Sequence, residues 1–537
     1  MESKKLLGTI VSGAMSEGFM MRIDGTTPIE SIKTGKFVSI QGNEYTFFSL
    51  ITDLKLDASH PEILLSPPSQ QDSLLFNILK KHDIYATAHL RPMVMVDRRF
   101  KKISPVKTIP AHFAQVLQAD EEDVSTIFGK EEAHKSSHFN IGTPLDMVTP
   151  VCINLDKLTE RSNGIFGKTG TGKTFLTRLV LAGLIKHEKA VCLIFDMHSE
   201  YGIQARKEGD GHFVKGLKTL FPAQVSIFSL DPVATARRGA APDVAITIPM
   251  HAIKVDDVMA LQSELNLHPT AVEAAYLIAA KYKNLWLQEL LEQGHNAKEF
   301  AESVGAHAES IAALYRKLKR IERCGFIVKS TSSSEKELSV IDQMMEYIDR
   351  GINIIVEFGN YSSSFVYLLI ANILTRRLHA AYIKKTEAFL GSGKKELEPQ
   401  KLMIVIEEAH KFLNTVAAKQ TIFGVIAREM RKYYVSLLVV DQRPSGIDDE
   451  VLSQIGTKIV AQLNDEKDIQ AVLTGVFNAS ALKTVLQSLD TKQQALFLGH
   501  AVTMPVVVQT RKYDEQFYQD MMFLPANKTN TMIEELF

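Results

Sequence analysis

The stretch Gly164–Phe175 reads GIFGKTGTGKTF. Inside it, Gly167-Lys168-Thr169-Gly170-Thr171-Gly172-Lys173-Thr174 meets every fixed position of GxxxxGK[ST], the phosphate-binding loop. An apolar GIF precedes the loop, and Lys173–Lys186 reads as a helix after it. That is the strand–loop–helix context the motif requires. Glycines let the backbone wrap closely around phosphate oxygens, and successive N–H groups with the helix N-terminus offer partial positive charge. Lys173 is expected to reach the β- and γ-phosphates, and Thr174 to ligate Mg2+. The competing reading is a glycine-rich turn with a surface lysine. Coincidence of motif and context weighs against it, so ATP and Mg2+ are the expected cofactors.

Downstream of the loop, continuous apolar runs recur: VCLIFD (191–196), INIIVEF (352–358), LMIVIEE (402–408), VSLLVVD (435–441), KIVAQL (458–463) and VVVQT (506–510). Such runs suit strands buried on both faces. Alternating with helices, they predict a doubly wound α/β sheet, mostly parallel. Between them, residues 255–345 form a strongly helical block, read as an insertion. TEAFLGSGKKELEPQ (386–400) reads as an exposed linker.

Residues 1–105 are different. LLGTIV, GFMMRI, FVSI and YTFFSLI are short apolar stretches parted by Gly, Asn and Asp, which predicts a small β-barrel or sandwich. The expected organisation is a barrel over 1–105 and a connecting segment over 106–150. A P-loop core follows over 151–254 and 346–515, interrupted by the helical insertion at 255–345, with a tail at 516–537. The connecting segment contains the acidic Asp120–Asp123 and a turn-like FNIGTP.

Bulk composition removes several classes. The three cysteines, Cys152, Cys192 and Cys324, form no CxxC pair and no Cys/His cluster, so a disulfide framework or structural zinc is not expected and a reducing cytoplasm is. No run approaches the ~20 apolar residues of a membrane helix. The formal net charge of −1 neither supports nor excludes nucleic acid, because charge can be concentrated on one surface.

Ile404-Val-Ile-Glu407-Glu408-Ala-His410 places two carboxylates at the end of a buried strand. Parallel strands deliver their carboxyl ends to the ligand crevice. Glu407 is read as holding Mg2+, directly or through water, and Glu408 as orienting and deprotonating the attacking water. The plainer alternative is a solvated pair at a strand end. Gln442, after Leu437–Asp441, can bond both water and phosphate and so report nucleotide state, or it can simply cap its strand. Arg428 and Arg431 lie in a basic helix upstream. Either is a candidate arginine finger supplied by a neighbouring subunit, although a surface salt bridge is the commoner fate of any single arginine.

The order GKTGTGKT, DMHSEY (196–201), IEEAHKFL (406–413), IAREMRKYYVSLLVVDQRPS (426–445) and LGHAVTMPVVV (498–508) resembles the HerA-type ATPases of the FtsK–HerA superfamily over nearly the whole chain. The resemblance implies a homohexameric ring with ATP at each subunit interface. It also implies movement of double-stranded DNA through the channel, with a nuclease or other effector docked on the barrel face, in DNA end processing or anti-phage defence. It implies that Lys173 and Thr174 bind phosphate and magnesium, that Glu408 is catalytic, that Gln442 is the sensor, and that an arginine between 428 and 431 acts in trans. The chain departs from the pattern at Met197 and Ser199, where many members have Pro and Gly, and at Asp441, where Ser is more usual.

DNA contact is least legible. Tyr315–Arg323 is the densest basic stretch, and Arg316, Lys317, Lys319 and Arg320 are the candidate phosphate contacts. A solvated helix face packed by its leucines is the alternative. Asp97–Lys102 (DRRFKK) is a second basic candidate that equally suits partner docking. Asn464–Asp468 reads as a nucleotide-interface or surface loop. Two other functions stay open beside the DNA translocase: a secretion or conjugation ATPase moving protein or nucleoprotein, and a ring scaffold that uses ATP to assemble an effector.

Overall fold

The computed structural model describes residues 4–60, 62–65, 83–145, 147–206, 213–239, 241–329, 339–429, 432–476, 479–490 and 493–522. Among these, the chain forms two compact units. One gathers residues 1–158, 165–179 and 456–512; the other gathers 159–164, 180–455 and the residues from 513 onward.

The first unit opens with an antiparallel barrel. Its ring runs Gly18–Ile23, Leu6–Ala14, Gln115–Gln118, Phe37–Gln41, Tyr45–Ala58, Ile84–Asp97 and back to Gly18–Ile23. Closure needs curvature, which the strands obtain by breaking register at Ile10/Ser12, Phe48/Ser49 and Ile51/Asp53. Inward residues such as Leu7, Ile10, Phe19, Val38, Phe47, Leu90 and Val116 fill the interior. Phe19 and Phe47 meet edge to face at 6.3 Å. The barrel therefore extends past residue 105. Gln115–Gln118 pairs with both Leu6–Ala14 and Phe37–Gln41, and without it the ring would stay open.

The rest of this unit corrects the expected connecting segment. FNIGTP is not a turn. It lies in the strand His138–Pro144, which pairs antiparallel with Val151–Asn154 and with Val506–Thr510. The Asp120–Asp123 acids begin the helix Glu121–Phe128 through a capping box closed by Asp120 and Asp123. Gln494–Gly499, an apolar run not among the expected strands, bridges Thr457–Val460 and Val506–Thr510, again antiparallel.

The second unit is built on six parallel strands. Their order is Val244–Ala245, Val225–Ser229, Asn353–Glu357, Val191–Asp196, Leu402–Glu407 and Val435–Asp441. Four of the predicted apolar runs fall on these strands, but Val225–Ser229 was not anticipated, although all five of its residues are buried. The 29-residue helix Ser364–Ser392 is buried through its first half. It absorbs the start of the expected linker at 386–400, because the Gly-Ser-Gly signal there is a helix end. Gly393 takes a left-handed φ of 65° and donates its N–H to Phe389.

The helical block follows the sequence reading in kind. Pro269–Tyr282, Trp286–Gln293, Ala297–Val304 and Ala308–Leu318 pack as a cluster, with Trp286 fully buried and its indole N–H on the Ile253 carbonyl at 2.8 Å. A short parallel pair, Ile248–Pro249 with Ile327–Val328, joins its entry to its exit. Among the described residues no helix is long and apolar enough to cross a membrane.

Candidate functional site

The phosphate loop lies in the first unit, between Phe166 and the helix Lys173–Lys186. It is anchored on the strand end beyond Val460: Ala461 donates to the Phe166 carbonyl at 2.8 Å, and Lys168 donates to the Gln462 carbonyl at 3.0 Å. A side chain at Gly167 would come within 2.8 Å of Thr171 Oγ1 and 2.9 Å of Ala461 Cβ, so that position must be bare. Gly170 and Gly172 have φ of 80° and 89°, which the loop's curl requires and other residues resist. The Lys168 carbonyl accepts from Thr171 Oγ1 at 2.7 Å and from Lys173 Nζ at 3.0 Å. The loop thus holds its lysine folded back across itself, with Lys168, Thr169 and Gly170 exposed and Lys173 and Thr174 half-buried at the helix start.

The carboxylates lie in the second unit, at the carboxyl ends of its parallel strands. Glu407 ends Leu402–Glu407, and Asp196 ends the neighbouring Val191–Asp196. Burial pushes the Asp196 carboxyl up to about 7, and the nearby Glu357 adds to this against the N–H groups of Tyr201 and Glu200 that favour its charge. Part of Glu407 remains open to solvent, yet its carboxyl is enclosed enough that burial first, and Asp196 second, push it up to about 8. Tyr201 donates its hydroxyl to Glu407 Oε1 at 2.7 Å. Tyr367, fully buried, both accepts from the Glu407 N–H at 3.0 Å and donates to its carbonyl at 3.1 Å. Asp196 and Tyr201 bound the DMHSEY motif but are given no role by the sequence reading, and Tyr367 lies in none of its motifs. The available signal was an Asp closing a buried run, as Glu407 closes its own.

Glu408 departs from the strand. Its φ is 50°, a left-handed backbone that costs a non-glycine residue about 1–2 kcal/mol. The turn continues through a Lys411 N–H to Glu408 carbonyl bond of 2.9 Å. One Glu408 carboxylate oxygen lies 3.7 Å from His410 Nδ1, and the side chain keeps about a third of its surface open. Glu408 is therefore reachable by a water, whereas Glu407 is fastened. Next along the sheet, Asp441 ends Val435–Asp441 and is buried, and Gln442 follows it half-buried at the tip.

The other described sequence candidates lie outside the parallel strands. Arg428 is in the helix Ile422–Glu429. It spends its guanidinium on the Ala418 carbonyl at 2.8 Å and on Glu450 at 3.5 Å. Arg431 lies outside the described residues. In the basic stretch, Lys317 donates to the Leu265 carbonyl at 2.6 Å, and Arg320 covers the Phe365 ring at 4.3 Å. Arg316 and Lys319 are exposed, reaching the Ala312 carbonyl and the Tyr315 hydroxyl. Asp465 is a helix cap, accepting from Lys467 N–H at 2.8 Å.

Residues 139–378 match the family model described as helicase HerA, central domain. A DNA double-strand break repair helicase HerA from Sulfurisphaera tokodaii is 24% identical over 534 residues, covering 95% of this chain and 93% of that protein. Another from Sulfolobus acidocaldarius is 24% identical, covering 81% of this chain and 79% of that one. Among solved structures, VirB4 of Thermoanaerobacter pseudethanolicus aligns with a TM-score of 0.46 at 13% identity, covering 71% of this chain and 98% of that one. The likeness to the helicases runs through the barrel, the loop and the carboxylate strand alike. This chain is thus similar to the HerA helicases over most of its length, and to the HerA central-domain model over residues 139–378.

Proposed function

We propose that this ATPase is a motor that moves along double-stranded DNA as a homohexameric ring, serving a nuclease or other effector. One observation carries the reading: the likeness to proteins named as DNA double-strand break repair helicases spans nearly the full length of both chains. A phosphate loop alone would support nucleotide binding and no more.

In this reading the amides of Gly167–Gly172 cradle the phosphates and Lys173 pairs with the β- and γ-oxygens. The donors assigned to magnesium, the Thr174 hydroxyl and Glu407, are all oxygen, as that hard cation prefers. Asp196 raises the proton affinity of Glu407, so a cation near them relieves a repulsion the fold has built in. Magnesium when bound neutralises charge that develops on the triphosphate. Glu408, turned out of the strand and open to solvent, takes the proton of the attacking water. Gln442 senses the γ-phosphate. The trans arginine is assigned to Arg431 or Arg428, and the intramolecular bonds of Arg428 favour Arg431. Arg316 and Lys319, the exposed pair of the basic stretch, are the proposed DNA contacts.

The test is ATP hydrolysis by the purified protein with and without linear duplex DNA over a salt series. Stimulation that fades as salt rises is expected, because phosphate contacts are lost to counterions. Hydrolysis indifferent to duplex at every salt concentration would overturn DNA as the track and favour a protein-moving motor or an ATP-assembled scaffold.

A further inference from the structure

One hydrogen-bonded pair joins the two turns that carry Glu408 and Gln442. Asp441 is buried, and its Oδ2 accepts from the His410 main-chain N–H at 2.6 Å and from the His410 ring Nδ1 at 2.9 Å. Its Oδ1 accepts from the Arg443 N–H at 2.7 Å. Asp441 therefore fastens both the backbone and the ring of His410, and grips the chain on the far side of Gln442. The two turns are joined again where Asp448 N–H reaches the Leu413 carbonyl at 2.7 Å. The turn closes tightly over the histidine: a side chain at Gly446 would come within 3.1 Å of His410 Cβ.

We propose that His410 is a positioning residue for hydrolysis, locking the Glu408 turn to the Gln442 turn through Asp441 so that base and sensor move as one piece. This rests on Glu408 being the base. Three features support it. The Glu408 backbone sits in a left-handed conformation that its surroundings must impose, and His410 is two residues away. The 3.7 Å between His410 Nδ1 and Glu408 is too long for a hydrogen bond, so the histidine orients the turn without occupying the carboxylate that a water needs. Finally, Asp441 is a carboxylate at a place where a smaller polar side chain would leave donors unmet. A serine hydroxyl cannot receive three donors from two residues, whereas a carboxylate with two oxygens does so here.

The experiment compares His410→Asn with His410→Gln in the full chain. The asparagine amide nitrogen falls where imidazole Nδ1 was and keeps the bond to Asp441; the longer glutamine amide does not. We expect His410→Gln to lower kcat on the order of 10- to 100-fold, with unchanged affinity for a non-hydrolysable ATP analogue. His410→Asn should recover most of the rate. Equal rates in the two variants, or a loss that appears in analogue affinity instead of kcat, would overturn the proposal. Glu408→Gln is assayed beside them. If it still turns over ATP, the base assignment fails. If it is inactive while the two histidine variants match, only the role of His410 fails.

Discussion

The barrel and the parallel sheet bury apolar residues by different rules. In the barrel strand Ile84–Asp97, buried positions alternate with half-buried ones through its middle. In Val191–Asp196, Asn353–Glu357 and Val435–Asp441, every residue is buried. A closed antiparallel ring has one face for its core and one for its surroundings, and its strands end in hairpins. A parallel sheet is covered on both faces, and its strands must end in crossovers. All the carboxylates of the site sit at such ends. The candidate carboxylates collect where the backbone is forced to turn and the sheet stops, and the barrel offers no equivalent row of ends.

Three measurements sharpen that contrast. The largest effect belongs to a strand end: Glu408→Gln should lower ATP turnover by about 10^2–10^4-fold and leave the thermal midpoint near that of the wild type. An equal loss of stability would mean that the residue is structural. The barrel should show the reverse. Phe47→Ala, in the packed ring interior, should cost about 3–5 kcal/mol of stability, read as a lower denaturant midpoint, with turnover per folded molecule retained. A barrel substitution that abolished turnover at full stability would break the division of labour.

The smallest effect is a pH dependence. The Glu407 carboxyl is raised in the folded chain from its ordinary 4.5 to about 8. Between those values the folded state holds a proton that the unfolded state has released, so the stability linked to that proton is full below pH 4.5 and is lost as pH rises toward 8. In magnesium-free buffer the wild-type midpoint should therefore fall across that window, and Glu407→Gln should flatten the slope. Parallel slopes in both proteins would show that Glu407 does not hold the proton.

Reading the sequence worked best where a local pattern has one physical cause. GKTGTGKT must curl because its glycines permit it and its neighbours forbid side chains, and the structure shows that curl. VCLIFD and VSLLVVD are apolar throughout because both faces are covered. What failed depends on partners far away in the chain. Gln115–Gln118 is four unremarkable residues until it pairs with two strands more than seventy positions upstream. FNIGTP looks like a turn because its strand is kinked at Asn140/Gly142, a bulge that only the pairing with Val151–Asn154 reveals. The same holds in the site: Tyr201 reaches Glu407 across 206 positions, a distance no local window spans.

The left-handed backbone at Glu408 has a consequence for how this protein can change. Glycine fits that conformation without strain, and asparagine nearly so. A library of variants selected only for heat resistance should drift toward those residues at position 408. Each step would relax the turn and remove the acid together. With Glu408 as the proposed base, a glutamate kept there against that drift marks selection for turnover.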